Sequence, residues 1–207
     1  LIGKDKIIDA DKFTILCFNI PGNGFDGNTI ENYQDFTTAD IARIFLAGLN
    51  YLKIQKLHTV IGGSLGGAIG WEMLALKPQL AENFIPIACD YQTSDWLYSQ
   101  CLVQKFLLDQ KEEPIHKARA HAMLCYRTPE SLNSRFNNEI IINKNIRKSE
   151  DWLHFHGNSL ADRYSLKSYK LMNHLLMTIQ AERDKLHLIS ANIHLVAVDT
   201  DFFFPAR

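Results

Sequence analysis

Six residues, Gly62-Gly63-Ser64-Leu65-Gly66-Gly67, constrain this chain more than any other stretch. They follow directly on Leu57 to Ile61, which reads as a strand, and lead into Ala68 to Leu76, which reads as a helix closed off by Pro78. A strand that passes straight into a helix through such a turn belongs to a parallel sheet with helices on its faces. Gly62-x-Ser64-x-Gly66 has the spacing of a turn sharp enough to strain the serine backbone and lift its hydroxyl clear of the sheet. Glycine is expected on either side of the serine, because a side chain two positions away would collide with the neighbouring strand or helix. The stretch lacks the lysine of a phosphate loop and the spacing of a dinucleotide fingerprint, so phosphate binding is the weaker reading.

The flanking sequence extends the pattern. Phe13 to Ile20 is a β-branched and aromatic run ending in Pro21-Gly22-Asn23-Gly24, as a buried strand runs into a loop. Thr37 or Thr38 can cap a helix whose Ile41, Ile44, Phe45, Leu49 and Leu52 form one apolar face. Asn83 to Cys89 reads as another strand. From Ser94 to about Lys185 helical spacing takes over, at Trp96 to Asp109, Ile115 to Tyr126 and Lys167 to Ala181, with no convincing strand. A strand returns at Ile193 to Val198, followed by Asp199-Thr200-Asp201. The expected class is α/β, with a core in residues 1–93 and 186–207 and a helical cap inserted at 94–185.

Composition narrows the partners. With 207 residues, 46% apolar and 22% charged, the chain can bury a sizeable core. Twenty-two basic against 23 acidic residues leave a formal charge of -1, which gives no footing for nucleic acid or an acidic membrane surface. No apolar run approaches the roughly 20 residues of a membrane helix, and a soluble, cytoplasmic protein is expected. Cys17, Cys89, Cys101 and Cys125 are widely spread and read as reduced thiols. No Cys/His cluster has metal-ligand spacing, so no metal is expected; His154 and His156 are read as lacking a nearby carboxylate or thiol to complete a metal site. The chain opens on Leu1 and stops at Arg207 without terminal patterns, as a piece of something longer would.

Ser64 is the candidate nucleophile. The backbone N–H of Leu65, at the start of the following helix, is placed to hold the charge on the oxygen of an attacked carbonyl. A serine nucleophile needs a base and an orienting acid, and on this type of sheet they follow in the order Ser, acid, His. Asp201, just past the last strand, fits the acid, with Asp199 as competitor. All eight histidines, His58, His116, His121, His154, His156, His174, His187 and His194, precede Asp201, so the base is expected to lie outside these residues.

With the elbow, the helical insertion and the late aspartate in hand, the chain resembles the homoserine O-acetyltransferase family of α/β-hydrolase-fold acyltransferases. That family writes its elbow as GGSMGG, here GGSLGG at Gly62 to Gly67. Its cap carries an A-R-x-x-A-M-L-x-Y-R-T-like segment, matched by Ala118 to Thr128. It also carries Y-L-x-Y-x-G and D-R-F-D-x-N-S-Y segments, similar to Trp152 to Gly157 and Asp162 to Tyr169. Its acid sits in an S-D-W-L-F-P-like stretch, here Thr200 to Pro205, which favours Asp201 over Asp199.

The resemblance implies ping-pong acyl transfer, with no cofactor and acyl-CoA as co-substrate. Ser64 would take the acyl group and pass it to the hydroxyl of homoserine or a similar amino acid, while Asp201 oriented a histidine beyond residue 207. It also implies that a second oxyanion donor precedes this chain, and that 207 residues alone turn over no substrate. Val103 stands where the family has a substrate-binding arginine, and valine cannot form paired charge-assisted bonds to a carboxylate. Arg119 or Arg127 could substitute, and Arg119 and Tyr169 are the candidate substrate-binding residues. A small-ester hydrolase and a non-catalytic protein of the same fold are the other readings. Partners are expected to be small molecules, with a homodimer left open.

Overall fold

The computed structural model describes residues 2–206. Thr37 opens α1 (Thr38–Tyr51) with a reciprocal capping box: its side chain accepts from the Asp40 backbone N–H, and the Asp40 carboxylate accepts from the Thr37 N–H. Ile41, Ala42, Phe45 and Leu49, at helical spacing, form the buried face of α1. The chain then enters β1 (Leu57–Gly63), turns at Ser64 into α2 (Leu65–Leu76), and returns along β2 (Ala81–Ile87), which pairs parallel with β1. Almost every residue of α2 is buried or half-buried, which accounts for its apolar sequence on all sides.

A long excursion follows before the sheet resumes. It comprises α3 (Asp95–Leu108), α4 (Pro114–Cys125), α5 (Pro129–Phe136), a small antiparallel pair β3 (Ile140–Ile141) and β4 (Ile146–Arg147), α6 (Lys148–Ala161), α7 (Leu166–Met177) and the short α8 (Arg183–Leu186). Then β5 (Asn192–Ile193) adds to the far side of β2, giving the parallel order β1-β2-β5. The ladder runs past the assigned strand: Val196 donates to Pro86 O and its own carbonyl accepts from Ala88 N–H.

The inserted helices do not have a core of their own. Leu97 and Cys101 of α3, Leu171 and Leu175 of α7, Ile179 and Phe203 pack in one cluster with Ile41, Phe45, Leu65 and Ile69 of α1 and α2. Thr38 Oγ1 ties the two layers by donating to Leu175 O at 2.9 Å.

Four expectations need correction. Phe13 to Ile20 forms no strand: none of it joins a ladder, and Phe13, Ile15 and Leu16 are 42%, 41% and 43% exposed. Only its end turns inward, with Phe18 stacked on Phe45 at 4.8 Å. An apolar, β-branched run has strand propensity, but a strand exists only where a neighbour supplies the hydrogen bonds. The final strand is shorter than Ile193 to Val198, and Leu195 and Val198 are exposed. The insertion is not free of strands, since Ile141 pairs with Ile146 around a turn with Asn145 in the left-handed region. Finally, α2 begins at Leu65, directly after the serine.

Candidate active site

Ser64 has φ 51° and ψ −127°, a backbone that side-chain-bearing residues rarely adopt. Three hydrogen bonds hold it there: its N–H donates to Ile87 O at 2.9 Å, and its carbonyl accepts from Gly67 N–H at 2.9 Å and Ala68 N–H at 3.1 Å. The residue is exposed, and its hydroxyl makes no capping bond and meets no hydrogen-bonding partner among the described residues. The N–H groups of Leu65 and Gly66 lie in the first turn of α2, where no intrahelical acceptor exists and the helix dipole favours negative charge.

The glycines divide the work differently from the sequence expectation. A Cβ on Gly62 would strike the Gly66 and Gly67 backbone, with Gly66 C at 2.5 Å and Gly67 N at 2.6 Å. At Gly66 it would meet nothing within 4 Å, so that position needs no glycine for space. The second obligatory glycine is Gly67, where a Cβ would run into the Cys89 sulfur and lie 2.7 Å from Gly62 O. Cys89 is no rival nucleophile: burial first, and the neighbouring Asp90 second, push its thiol up to about 12.

Asp201 lies just beyond the carboxyl end of the ladder formed with β2. The strand bearing Ser64 and the strand leading to Asp201 flank β2, so their axes are roughly 10 Å apart at the same rim of the sheet. Asp201 Oδ1 accepts from Phe203 N–H at 2.7 Å and Phe204 N–H at 3.1 Å, which fixes the half-buried carboxylate. The segment is fastened to the insertion where Trp96 Nε1 donates to Phe202 O at 2.5 Å and the Phe203 ring meets Tyr126 edge-on at 5.7 Å. Asp199, by contrast, is exposed. None of the eight histidines hydrogen-bonds Ser64 or Asp201 among the described residues.

Arg119 projects from α4 with its guanidinium 5.6 Å from the centre of the Tyr126 ring, a cation–π contact. Asp201 bears on the same neighbourhood: burial first, then the Asp201 carboxylate, push the Cys125 thiol up. Tyr169, on α7, donates its hydroxyl to Gln104 Oε1 at 3.1 Å, and the Gln104 amide nitrogen lies 2.7 Å from His121 Nδ1. Since that nitrogen accepts, the neutral His121 carries its proton on Nε2, and burial lowers its pKa. Burial also pushes the Tyr169 hydroxyl above the usual tyrosine range. Sequence reasoning missed Gln104 and His121, because nothing marks residues 65 and 17 positions apart as one chain of hydrogen bonds. Arg127, two residues past the end of α4, and Val103, on α3, are exposed.

A serine held in a strained strand-to-helix turn, with an aspartate two strands away at the same rim, defines a class, and the alpha/beta hydrolase fold model matches residues 5–186. The chain belongs to that family. Among curated proteins it is similar to the homoserine O-acetyltransferase of Cyclobacterium marinum, 29% identical over 236 residues, covering 100% of this chain and 67% of the relative. The homoserine O-acetyltransferase of Trichormus variabilis is 28% identical and covers 99% and 66%. The chain thus spans about two thirds of the length of these relatives. Two solved structures share the fold: homoserine O-acetyltransferase from Staphylococcus aureus (TM-score 0.70, 22% identity, 82% of this chain and 52% of that one) and an acetylester hydrolase from Corynebacterium glutamicum (0.79, 18%, 99% and 66%).

Proposed function

We propose that this chain carries the acyl-transfer site of an O-acyltransferase that moves an acyl group, acetyl first among them, from acyl-coenzyme A to the hydroxyl of homoserine or a similar small amino acid. Ser64 Oγ attacks the thioester carbonyl and gives its proton to a base. The carbon–sulfur bond then breaks, the coenzyme leaves as its thiol, and an ester remains on Ser64. The Leu65 N–H bears the charge on the carbonyl oxygen as it develops. In the second half-reaction the acceptor hydroxyl attacks that ester and Ser64 is regenerated. Asp201 orients the base, a histidine that in the order Ser, acid, His would follow it. Arg119 binds the acceptor carboxylate and Tyr169 shapes the acceptor pocket, while the coenzyme is a co-substrate and no bound cofactor takes part.

The observation that supports this reading most is the Ser64 backbone, whose strain has no structural use evident in the turn itself and aims a hydroxyl at open space. The choice of acyltransferase rests on the two named relatives. The test uses the complete protein with acetyl-CoA and homoserine: free thiol and O-acetylhomoserine are expected, and Ser64→Ala abolishes both. Absence of thiol release with every hydroxylated amino acid tried overturns it. A hydrolase of small esters is the second reading, favoured by the fold shared with an acetylester hydrolase over 99% of this chain. Turnover of an aryl acetate that added homoserine leaves unchanged selects it.

A further inference from the structure

Helices α4 and α6 bring two histidines from distant parts of the sequence face to face. His116 Nε2 and His154 Nδ1 are 3.1 Å apart, with ring centroids 5.2 Å apart and planes tilted by 32°. Two imidazoles on one tetrahedral divalent ion, each about 2.05 Å away, would place their nitrogens about 3.3 Å and their ring centres about 5.2 Å apart. A neighbouring carboxylate favours the His154 tautomer such an ion needs. Glu150, one turn before His154, has a carboxylate oxygen 4.0 Å from His154 Nε2, which draws the proton there and leaves a lone pair on Nδ1. The His116 ring is trapped against α6: a Cβ on Gly157 would lie 2.8 Å from its Cγ and Nε2. Its other nitrogen, Nδ1, is buried without a hydrogen-bond partner, so the N–H that a metal-bound imidazole keeps there goes unpaired and subtracts from the affinity.

We propose that His116 and His154 form a two-histidine site for a borderline transition-metal ion such as Zn2+ or Ni2+, which clamps α4 to α6. No third His, Cys, Asp or Glu completes a cluster among the described residues, so water fills the remaining positions and the affinity is that of a chelating pair. From the sequence, His154 is weighed only with His156, and no carboxylate is assigned to the pair. The real partner is 38 residues away, and Glu150 serves as an orienting group. The clamp closes one turn from Arg119, so an ion bound there stiffens the helix that carries the proposed acceptor-binding residue.

Calorimetric titration of Ni2+ into the chelator-stripped protein at neutral pH tests the site. One ion per chain at micromolar affinity is expected. His154→Ala, which removes an exposed side chain, weakens binding by about tenfold or more, His116→Gln does the same, and His156→Ala, whose ring packs on Trp152, leaves it unchanged. Histidine ring signals assigned to residues 116 and 154 are the ones broadened by the paramagnetic ion. No saturable binding, or binding that survives His154→Ala undiminished, overturns the site and leaves the pair as a hydrogen bond.

Discussion

Replacing Gly62 and Gly66 separately by alanine tests how the serine turn is built. At Gly62 the new methyl meets backbone atoms of Gly66 and Gly67, with no flexible side chain able to give way. The turn must open, at a cost of about 3 kcal/mol, the upper end for overpacking. With a urea dependence of about 2 kcal/mol/M, the unfolding midpoint falls by about 1.5 M. At Gly66 the methyl meets nothing within 4 Å, and alanine's helix preference contributes between zero and about 0.8 kcal/mol. The Gly66→Ala midpoint should therefore stay level or rise. Urea unfolding followed by tryptophan fluorescence reads both, and covalent labelling of Ser64 by a phosphonate reports whether the hydroxyl is still presented. If the two midpoints fall together, the turn is not held as described and the reasoning fails.

Three further outcomes follow from the same geometry. Ser64→Gly should raise stability by about 1 kcal/mol, because glycine adopts the left-handed backbone without strain, and should abolish phosphonate labelling, as mass spectrometry of the labelled peptide would show. Tyr169→Phe leaves the buried Gln104 oxygen without its donor and should cost about 1–2 kcal/mol in a denaturant titration, with Phe25, an exposed ring, as the substitution control that costs almost nothing on going to alanine. Burial raises the pKa of Glu72, whose carboxylate accepts from Gln180 N–H. A carboxyl raised on folding supports stability below its unfolded value and loses that support as pH climbs through the folded one. Glu72→Gln, which keeps the acceptor and cannot ionise, should therefore melt higher than the parent at neutral pH, with the difference closing near pH 4, about the ordinary carboxyl value.

What could be read in the sequence was local. The elbow announces itself because strand, turn and helix are contiguous, and the start of α1 because its candidate caps, Thr37 and Thr38, stand just before the apolar face. What escaped was set by partners elsewhere in the chain. Phe13 to Ile20 has the composition of a strand, but pairing is a property of two segments. Gly66 and Gly67 look equivalent until Cys89, two residues past β2, is set against one of them. Helices α5 and α6 passed unnoticed because they bury little, only Phe136 and Gly157 respectively, and so show no apolar stripe. Order along the chain suffices to set Asp201 just past the last ladder, whereas the pairing of His116 with His154 and of Tyr169 with Gln104 depends on how the inserted helices cross.

The main core cluster, shared by α1, α2, α3 and α7 with Cys125 of α4, limits how the roof of this molecule can breathe. Swinging α7 away as part of a rigid lid would bare Leu171, Leu175 and Ile179, each at most 1% exposed, at a cost of about 6 kcal/mol, a population on the order of one in ten thousand. The inner tier, α3 and α7, therefore stays seated, a fixed wall on the core that also holds Leu65, the residue after the serine.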